Sequence, residues 1–309
     1  MKKQIAVILG PTATGKSHCG IALSQALDGE IISGDSMLVY RGMDIGTAKP
    51  TAEELALVPH HMVDILPPEA SFNVVDFKER AERLIDEITA RGKLPIIVGG
   101  TGLYIKALLE DYKFSSKGED SALRAELEQL LAEQGKEALY ARLEKSAPAE
   151  AGKIDINNTR RVIRAIEAAE SGDDLSHSKS EELVYDAAVF GLRMERSVLY
   201  ERINRRVDIM LEQGLIEETR RLLEGGVPET AQSMQSIGYR QTVLYLKGEW
   251  DKAAAVDKIK QATRNFAKRQ FTWYKKMPYV KWFNLDAEPN YENVTGEMIK
   301  TVVEKFKIG

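Results

Sequence analysis

Residues 10–17 read Gly-Pro-Thr-Ala-Thr-Gly-Lys-Ser and fit the pattern G-x-x-x-x-G-K-[ST] of a phosphate-binding loop. Glycines let the main chain curl, so that successive N–H groups and the start of a helix converge on an anion. Lys16 adds a positive charge, and the Ser17 hydroxyl can reach a Mg²⁺ ion. The pattern predicts a site for a ligand with at least two phosphates. The residues expected to hold them are Gly10, Thr12, Ala13, Thr14, Gly15, Lys16 and Ser17.

The loop lies between a short apolar run at residues 5–9, typical of a buried strand, and a predicted helix at 18–27. A second strand, residues 30–33, leads to Asp35, and a third, residues 94–98, ends in Gly-Gly-Thr-Gly. A long amphipathic helix is predicted over residues 72–91. Because strands and helices alternate, we predict an α/β fold in which a parallel sheet is flanked by helices, with a P-loop core like that of nucleotide kinases.

The usual ATP and GTP hydrolases with such a loop carry an aspartate that closes a later strand and holds Mg²⁺. Here the strand at 94–98 closes in Gly99-Gly100-Thr101, and a strand predicted over 185–192 closes in Leu192-Arg193. Asp35 alone is well placed, past the carboxyl end of a strand, where open α/β sheets keep their chemistry. This weakens the hydrolase interpretation and leaves a kinase-like enzyme open.

Residues 115–182 have almost no strand signal and predict three helices followed by a polar linker at 172–182. We therefore predict a helical insertion at 115–182 in a catalytic core formed by residues 1–114 and 183–309. In the second half of the core, a helix at 198–213 carries Arg206.

A basic segment at residues 258–283 contains eight Lys or Arg, seven aromatic residues and no Asp or Glu. On a helix, Lys260, Arg264 and Lys268 would form one stripe, and Ile259, Ala262, Phe266 and Trp273 would share another face. Such a stripe is most often a solvated face over a core. The complete lack of acids over this length favours contact with a nucleic-acid backbone.

The 309 residues carry 43 Lys and Arg against 47 Asp and Glu, a formal net charge of −4, so a polyanionic partner requires a local patch. The single cysteine, Cys19, excludes an internal disulfide and suits a reducing cytosol. The adjacent His60 and His61 are interpreted as loop structure rather than a metal site. No apolar run approaches a membrane span, and we expect a cytoplasmic, monomeric protein without a signal peptide.

Five sequence blocks resemble the signatures of the bacterial tRNA dimethylallyltransferases. They are residues 10–17, residues 34–50 (Gly-Asp-Ser-Met-Leu-Val-Tyr-Arg-Gly-Met-Asp-Ile-Gly-Thr-Ala-Lys-Pro), residues 98–104 (Val-Gly-Gly-Thr-Gly-Leu-Tyr), residues 236–241 (Ser-Ile-Gly-Tyr-Arg-Gln) and residues 267–273 (Ala-Lys-Arg-Gln-Phe-Thr-Trp). The resemblance spans nearly the whole chain, and the second block is far more specific than a phosphate loop.

The resemblance implies transfer of a dimethylallyl group from dimethylallyl diphosphate to N6 of the adenosine on the 3′ side of the anticodon, with Mg²⁺ as cofactor. It implies that Asp35 accepts the N6 proton and that Thr101 and Arg206 hold the diphosphate. It further implies contacts between the tRNA anticodon stem-loop and Asp35, Ser36, Met37, Leu38, Thr101 and, in the insertion, Arg124. The stripe of Lys260, Arg264 and Lys268 would follow phosphates.

Two other enzyme classes stay open on the residues alone. A nucleoside or small-molecule kinase would also use the phosphate loop and an arginine-rich helix, and Asp35 would then be a carboxylate beside Mg²⁺. An isopentenyltransferase acting on free adenine nucleotides is the closer alternative. The helical insertion and the acid-free basic segment argue against both classes, because neither needs a long surface for a polyanion.

Overall fold

A computed structural model describes residues 2–112, 121–171 and 182–308. The strands are β1 (Gln4–Leu9), β2 (Gly29–Ser33), β3 (His60–His61), β4 (Leu94–Gly99), β5 (Asp186–Met194) and β6 (Lys281–Leu285). The helices are α1 (Lys16–Ala26), α2 (Ala52–Leu57), α3 (Val74–Ala90), α4 (Gly102–Leu109), α5 (Ser121–Ser146), α6 (Pro148–Ala151), α7 (Thr159–Ser171), α8 (Arg196–Glu212), α9 (Leu215–Glu224), α10 (Tyr239–Leu246), α11 (Lys252–Tyr274) and α12 (Tyr291–Phe306).

The strands form one parallel sheet in the order β3-β2-β4-β1-β5-β6. Leu9 of β1 pairs with Gly99 of β4 on one side and with Gly191 of β5 on the other. Ser33 of β2 pairs with Val98, so the phosphate loop, Asp35 and the Gly99–Gly102 turn all leave the same edge of the sheet. The predicted α/β class and parallel sheet are confirmed.

Alternate residues of β1 face opposite sides of the sheet, as the two-residue period of a strand requires. Ile5, Val7 and Leu9 pack in the core that contains α3, and Ala6 and Ile8 pack in the core of α1 and α12. Helices therefore cover both faces. The apolar residues of α3 follow the predicted spacing, since the buried ones are Phe77, Ala81, Ile85 and Ile88.

Local chemistry explains where the helices begin and end. Asn73 caps α3 by accepting hydrogen bonds from the N–H groups of Val75 and Asp76, and the Asp76 carboxylate accepts the N–H of Asn73. Gly92, with φ +74°, follows the end of α3. The pair His60 and His61 forms the edge strand β3 and not a loop, and His61 contacts the buried carboxylate of Glu30 at 2.6 Å.

The chain divides into two compact units, one formed by residues 1–111 and 182–309 and the other by residues 112–181. The second unit contains α5, α6 and α7. Its α5 is interrupted at Gly135, where φ is +81° and ψ is 179°, so that this element consists of two helical segments. Leu127, Leu139 and Ile166 belong to its own apolar core. Most of the predicted polar linker, residues 172–181, lies outside the described residues.

Candidate active site

The phosphate loop joins β1 to α1 in a strongly curled conformation. Ala13 has φ +66° and Gly15 has φ +83°, so two residues of the loop lie in the left-handed region. The Thr14 hydroxyl is buried and donates to Pro11 O at 2.8 Å, which holds the curl from within. A Cβ on Gly15 would overlap the ring of Tyr291, so this position requires glycine. Ser17 is exposed in the first turn of α1.

Lys16 lies inside this loop, and its ammonium group donates to Pro11 O at 2.8 Å. Desolvation by the surrounding protein and the nearby Arg206 guanidinium lower the pKa of Lys16 to about 8, against the opposing effect of the Asp35 carboxylate. A cation whose charge is poorly compensated by the protein is a strong attractor for an anionic ligand.

Helix α8 places two arginines one turn apart against the phosphate loop. Arg206 approaches the Thr12 hydroxyl at 3.5 Å, and Arg202 donates to Ala13 O at 3.0 Å and to the Tyr291 hydroxyl at 3.2 Å. Burial lowers the pKa of Arg206, and Asp35 opposes this effect. Arg206 was selected by resemblance, whereas the contact of Arg202 with the loop was not predicted.

Asp35 follows β2 and points its carboxylate toward the same space. Its Oδ1 accepts the N–H of Met37 at 2.8 Å, which fixes the turn at residues 35–37. The N–H of Asp35 donates to the Ser33 hydroxyl at 3.3 Å. The main-chain carbonyl of Leu38, the residue after Met37, accepts the N–H of Asp64 at 3.1 Å. This bond connects the segment that carries Asp35 to the loop after β3.

A cavity of about 350 Å³ brings these groups together. The polar residues that line it include Thr12, Lys16, Asp35, Ser36, Arg206, Arg269 and Gln270. The apolar residues that line it include Met37, Ile203, Val207, Met210, Ile237, Ile259 and Phe266. Cations, a carboxylate and an apolar surface thus share one space, as a substrate with an anionic end and a hydrocarbon end requires.

Gly100 lines the cavity, and Thr101 lies directly beyond it at the start of α4. Its main-chain N–H donates to Gly34 O at 3.2 Å, which joins the end of β4 to the segment that carries Asp35. A Cβ on Gly99 would overlap the main chain of Gly34. The close approach of these two turns explains why the block at residues 98–104 has a glycine at position 99.

Helix α11 is oriented differently from the prediction. Lys260 forms an ion pair with Asp208 at 2.6 Å, and Arg264 donates to the Asn204 side chain at 2.6 Å, so both cations point toward α8. Lys268 is exposed. Of the residues predicted to lie on the packing face, Ile259 is buried and Trp273 is 40% exposed. The other buried residues of α11 are Ala255, Ala267, Gln270 and Tyr274.

Arg124 lies in the insertion unit, where it forms a two-pronged ion pair with the buried Glu167 at 2.8 Å for each bond. This pair joins α5 to α7 and gives Arg124 a structural role within its own unit. Contact between Arg124 and RNA stays a prediction.

The chain is similar in sequence to a known enzyme family. Residues 38–277 match the family described as IPP transferase. The chain is 47% identical over 310 residues to a tRNA dimethylallyltransferase of Exiguobacterium sp., with 99% of each chain covered. It is 46% identical over 312 residues to the enzyme of that name from Geobacillus kaustophilus, covering 100% of this chain and 99% of the relative.

Solved structures give the same result. A full-length tRNA isopentenylpyrophosphate transferase from Bacillus halodurans superposes with a TM-score of 0.74 at 43% identity, covering 99% of both chains. A eukaryotic dimethylallyltransferase, described as acting on tRNA, superposes with a TM-score of 0.76 at 27% identity, covering 97% of this chain and 78% of that one. On the match over residues 38–277 and on full-length relatives this similar, the chain belongs to the IPP transferase family.

Proposed function

We propose that the chain transfers a dimethylallyl group from dimethylallyl diphosphate to N6 of the adenosine on the 3′ side of the anticodon in tRNA, with release of diphosphate. The observation that carries the proposal is the cavity in which Lys16, Arg206 and Asp35 meet an apolar surface. Relatives that share almost the full length of the chain carry the name of this activity.

The phosphate loop and its cations would bind the diphosphate. Main-chain N–H groups of the loop, the ammonium group of Lys16 and the guanidinium group of Arg206 would compensate the negative charge that develops as the bond between the prenyl carbon and the diphosphate oxygen breaks. The apolar residues Val207, Met210 and Ile237 would contact the five-carbon chain of the donor.

Asp35 would act on the acceptor. The exocyclic nitrogen of adenine is a poor nucleophile, because its lone pair is delocalised into the ring. A carboxylate that accepts an N6 hydrogen would orient the nitrogen and take its proton as the new bond between N6 and the prenyl carbon forms. The adenosine would have to leave its stack to reach a cavity of this kind.

The residues also fit a Mg²⁺ ion. The Ser17 hydroxyl stands at the start of α1 beside the phosphate loop, and Mg²⁺ commonly takes few protein ligands and completes its shell with substrate phosphates and water. When bound, Mg²⁺ would neutralise part of the diphosphate charge. Among the described residues no group of three or more His, Cys, Asp and Glu is arranged to hold a metal.

We also propose that the protein acts as a monomer in the cytoplasm, where tRNA is available. Over residues 2–112, 121–171 and 182–308, no helix combines the length and the apolar character that a membrane crossing needs. Light scattering with and without tRNA tests the oligomeric state.

The test of the activity is incubation with unmodified tRNA and dimethylallyl diphosphate, followed by mass spectrometry of the nucleosides. We expect prenylated adenosine and release of inorganic pyrophosphate only when tRNA is present. Parallel reactions with free adenine nucleotides and with ATP as donor distinguish the two alternatives. Prenylated AMP without prenylated tRNA would favour the free-nucleotide transferase, and phosphate release from ATP without prenyl transfer would favour a kinase or ATPase.

A further inference from the structure

Glu218 of α9 is a buried carboxylate outside the cavity, with 2% of its surface exposed. Its Oε2 accepts the main-chain N–H groups of Asp44 and Ile45, each at 2.9 Å. Its Oε1 accepts the N–H of Gly46 at 3.1 Å. Burial of a carboxylate is costly, and three N–H groups that converge on it can offset that cost. The side chain of Glu218 therefore fixes the main-chain conformation of residues 44–46.

The segment held in this way forms part of the cavity wall, because Gly46, Thr47 and Ala48 line the cavity. Its other end is held by Lys49, which donates to Tyr40 O at 2.9 Å and to the Asp44 carboxylate at 2.5 Å. The wall segment is thus fixed at both ends by charged groups that do not face the cavity.

Glu218 also holds a second part of the wall. The buried Tyr239 hydroxyl donates to Glu218 Oε1 at 2.6 Å. Tyr239 begins α10 directly after residues 235–238, which line the cavity. Its ring packs so closely on Gly46 that a Cβ there would overlap it. Two segments about 190 positions apart in the sequence thus meet on one carboxylate.

We propose that Glu218 is a positioning residue that holds residues 46–48 and 235–238 as one wall of the active-site cavity. The inference rests on the proposed function. The wall contributes no cation: its residues are Gly46, Thr47, Ala48, Gln235, Ser236, Ile237 and Gly238. We therefore expect it to contact the uncharged parts of the substrates, the prenyl group and the adenine, rather than the diphosphate.

The expected consequence concerns the chemical step. Displacement of a group by about 1 Å can cost roughly 100-fold in rate when two reacting atoms must be aligned. None of the hydrogen bonds described above for Glu218 involves the phosphate loop, Lys16 or Arg206. Binding of the diphosphate moiety should therefore be independent of Glu218. A positioning role and a general loss of folding therefore give different results.

The experiment compares Glu218→Gln with Glu217→Gln, which removes the same charge from the adjacent, exposed position of α9. Glutamine keeps the size of the side chain and one acceptor oxygen, but it replaces the other oxygen by an NH₂ group that cannot accept an N–H. We expect Glu218→Gln to lower kcat for tRNA prenylation roughly 30-fold, within the range for misaligned reactants. Affinity for inorganic pyrophosphate, measured by calorimetry, should stay within twofold of the parent in both variants, and Glu217→Gln should keep its kcat.

A kcat of Glu218→Gln within twofold of the parent enzyme would overturn the proposal. It would also be overturned if kcat and the number of pyrophosphate-binding sites fell by the same factor, because that result would indicate loss of folded protein. If Glu218→Gln does not fold, Tyr239→Phe removes one bond to the same carboxylate and leaves the three N–H groups in place. We then expect about a fivefold lower kcat with unchanged pyrophosphate affinity, in line with the loss of one hydrogen bond of ordinary net strength, and an unchanged kcat would overturn the proposal. Absence of prenylated tRNA with the parent enzyme would instead contradict the proposed function itself.

Discussion

The side-chain carbonyl of Gln270 accepts the main-chain N–H of Thr12 at 3.0 Å, although the two residues are 258 positions apart in the sequence. The amide group of the same side chain donates to Gly100 O at 2.8 Å. Gln270 is 4% exposed and lies on the buried face of α11. One turn later, the Tyr274 hydroxyl donates to Gly100 O at 2.6 Å. Helix α11 thereby fixes the phosphate loop relative to the turn after β4.

Gln270→Met keeps the length of the side chain but leaves Thr12 N–H and Gly100 O without this partner. We expect the free energy of unfolding to fall by about 1–3 kcal/mol, the cost of an unsatisfied buried polar group, and dimethylallyl diphosphate to bind more weakly. Urea denaturation measures the first effect and calorimetry the second. Gln261→Met, at an exposed position of the same helix, is the control. Equal effects of the two substitutions would show that the buried bridge has no special role.

Asp35→Asn removes the negative charge and keeps the shape of the side chain. If the carboxylate takes the N6 proton, kcat should fall by roughly 100- to 10,000-fold, as for the loss of a general base. Affinity for dimethylallyl diphosphate should change little. The control is Asp28→Asn, at an exposed position with φ +46° that asparagine tolerates. A joint loss of diphosphate and Mg²⁺ affinity in Asp35→Asn would instead identify the carboxylate as a metal ligand.

The lowered pKa of Lys16, about 8, predicts a pH dependence of donor binding. Below this pH the ammonium group is charged and attracts the diphosphate. As pH rises through the pKa the free protein loses this charge, so affinity for dimethylallyl diphosphate should decrease between about pH 7.5 and 9.5. Calorimetry over this range measures the effect. In Lys16→Met the affinity should be lower throughout and independent of pH in this window, and a retained slope would assign the titration to another group.

The sequence predicted the parts of the site that local patterns specify. A phosphate loop, an acid after a strand and a glycine-rich turn are each contained within a few residues. Because the strands are parallel, their carboxyl ends, and the three features that follow them, lie on the same side of the sheet. The structure places Thr12, Lys16, Asp35 and Arg206 around one cavity. The long helix α3 was predicted from its spacing to within two residues at its first turn.

Contacts between distant segments could not be predicted in this way. Both Glu217 and Glu218 are acids in the first turn of α9, and no local pattern indicates that Glu218 accepts the main-chain N–H groups of residues 44–46. The two faces of α11 were assigned from its basic and apolar residues, yet the buried row includes the polar Gln270 and excludes Trp273. The edge strand β3 has only two residues, too few for any alternation. The other edge strand, β6, begins inside the segment at residues 258–283 that was interpreted from its charges.

The orientation of α11 changes the prediction for RNA binding. Lys260 and Arg264 already contact α8, whereas Lys268 is exposed, so Lys268 should provide the larger share of phosphate contact. Lys268→Gln should lower the slope of log affinity for tRNA against log salt by roughly 0.7–0.9, the value for one lost phosphate contact. Lys260→Gln and Arg264→Gln should change it less. Lys300→Gln, at an exposed position of α12, is the control for net charge. If the slope is unchanged in Lys268→Gln, Lys268 is an ordinary solvent-exposed residue that does not contact RNA phosphates.

The helical insertion at residues 115–182 should be dispensable for folding of the catalytic core. Its described apolar core, which includes Leu127, Leu143 and Ile163, shares no residue with the two cores that cover the sheet. Replacement of residues 115–182 by a short Gly/Ser linker should therefore leave a folded protein, because the sheet keeps all of its buried apolar residues.

The shortened protein should bind dimethylallyl diphosphate within twofold of the full chain. Its affinity for tRNA should fall by at least about tenfold, equivalent to 1.4 kcal/mol of lost contact. Calorimetry with the donor and filter binding with tRNA measure the two affinities. Unchanged tRNA affinity would exclude a role of the insertion in RNA binding, and loss of donor binding would show that the catalytic unit depends on it for folding.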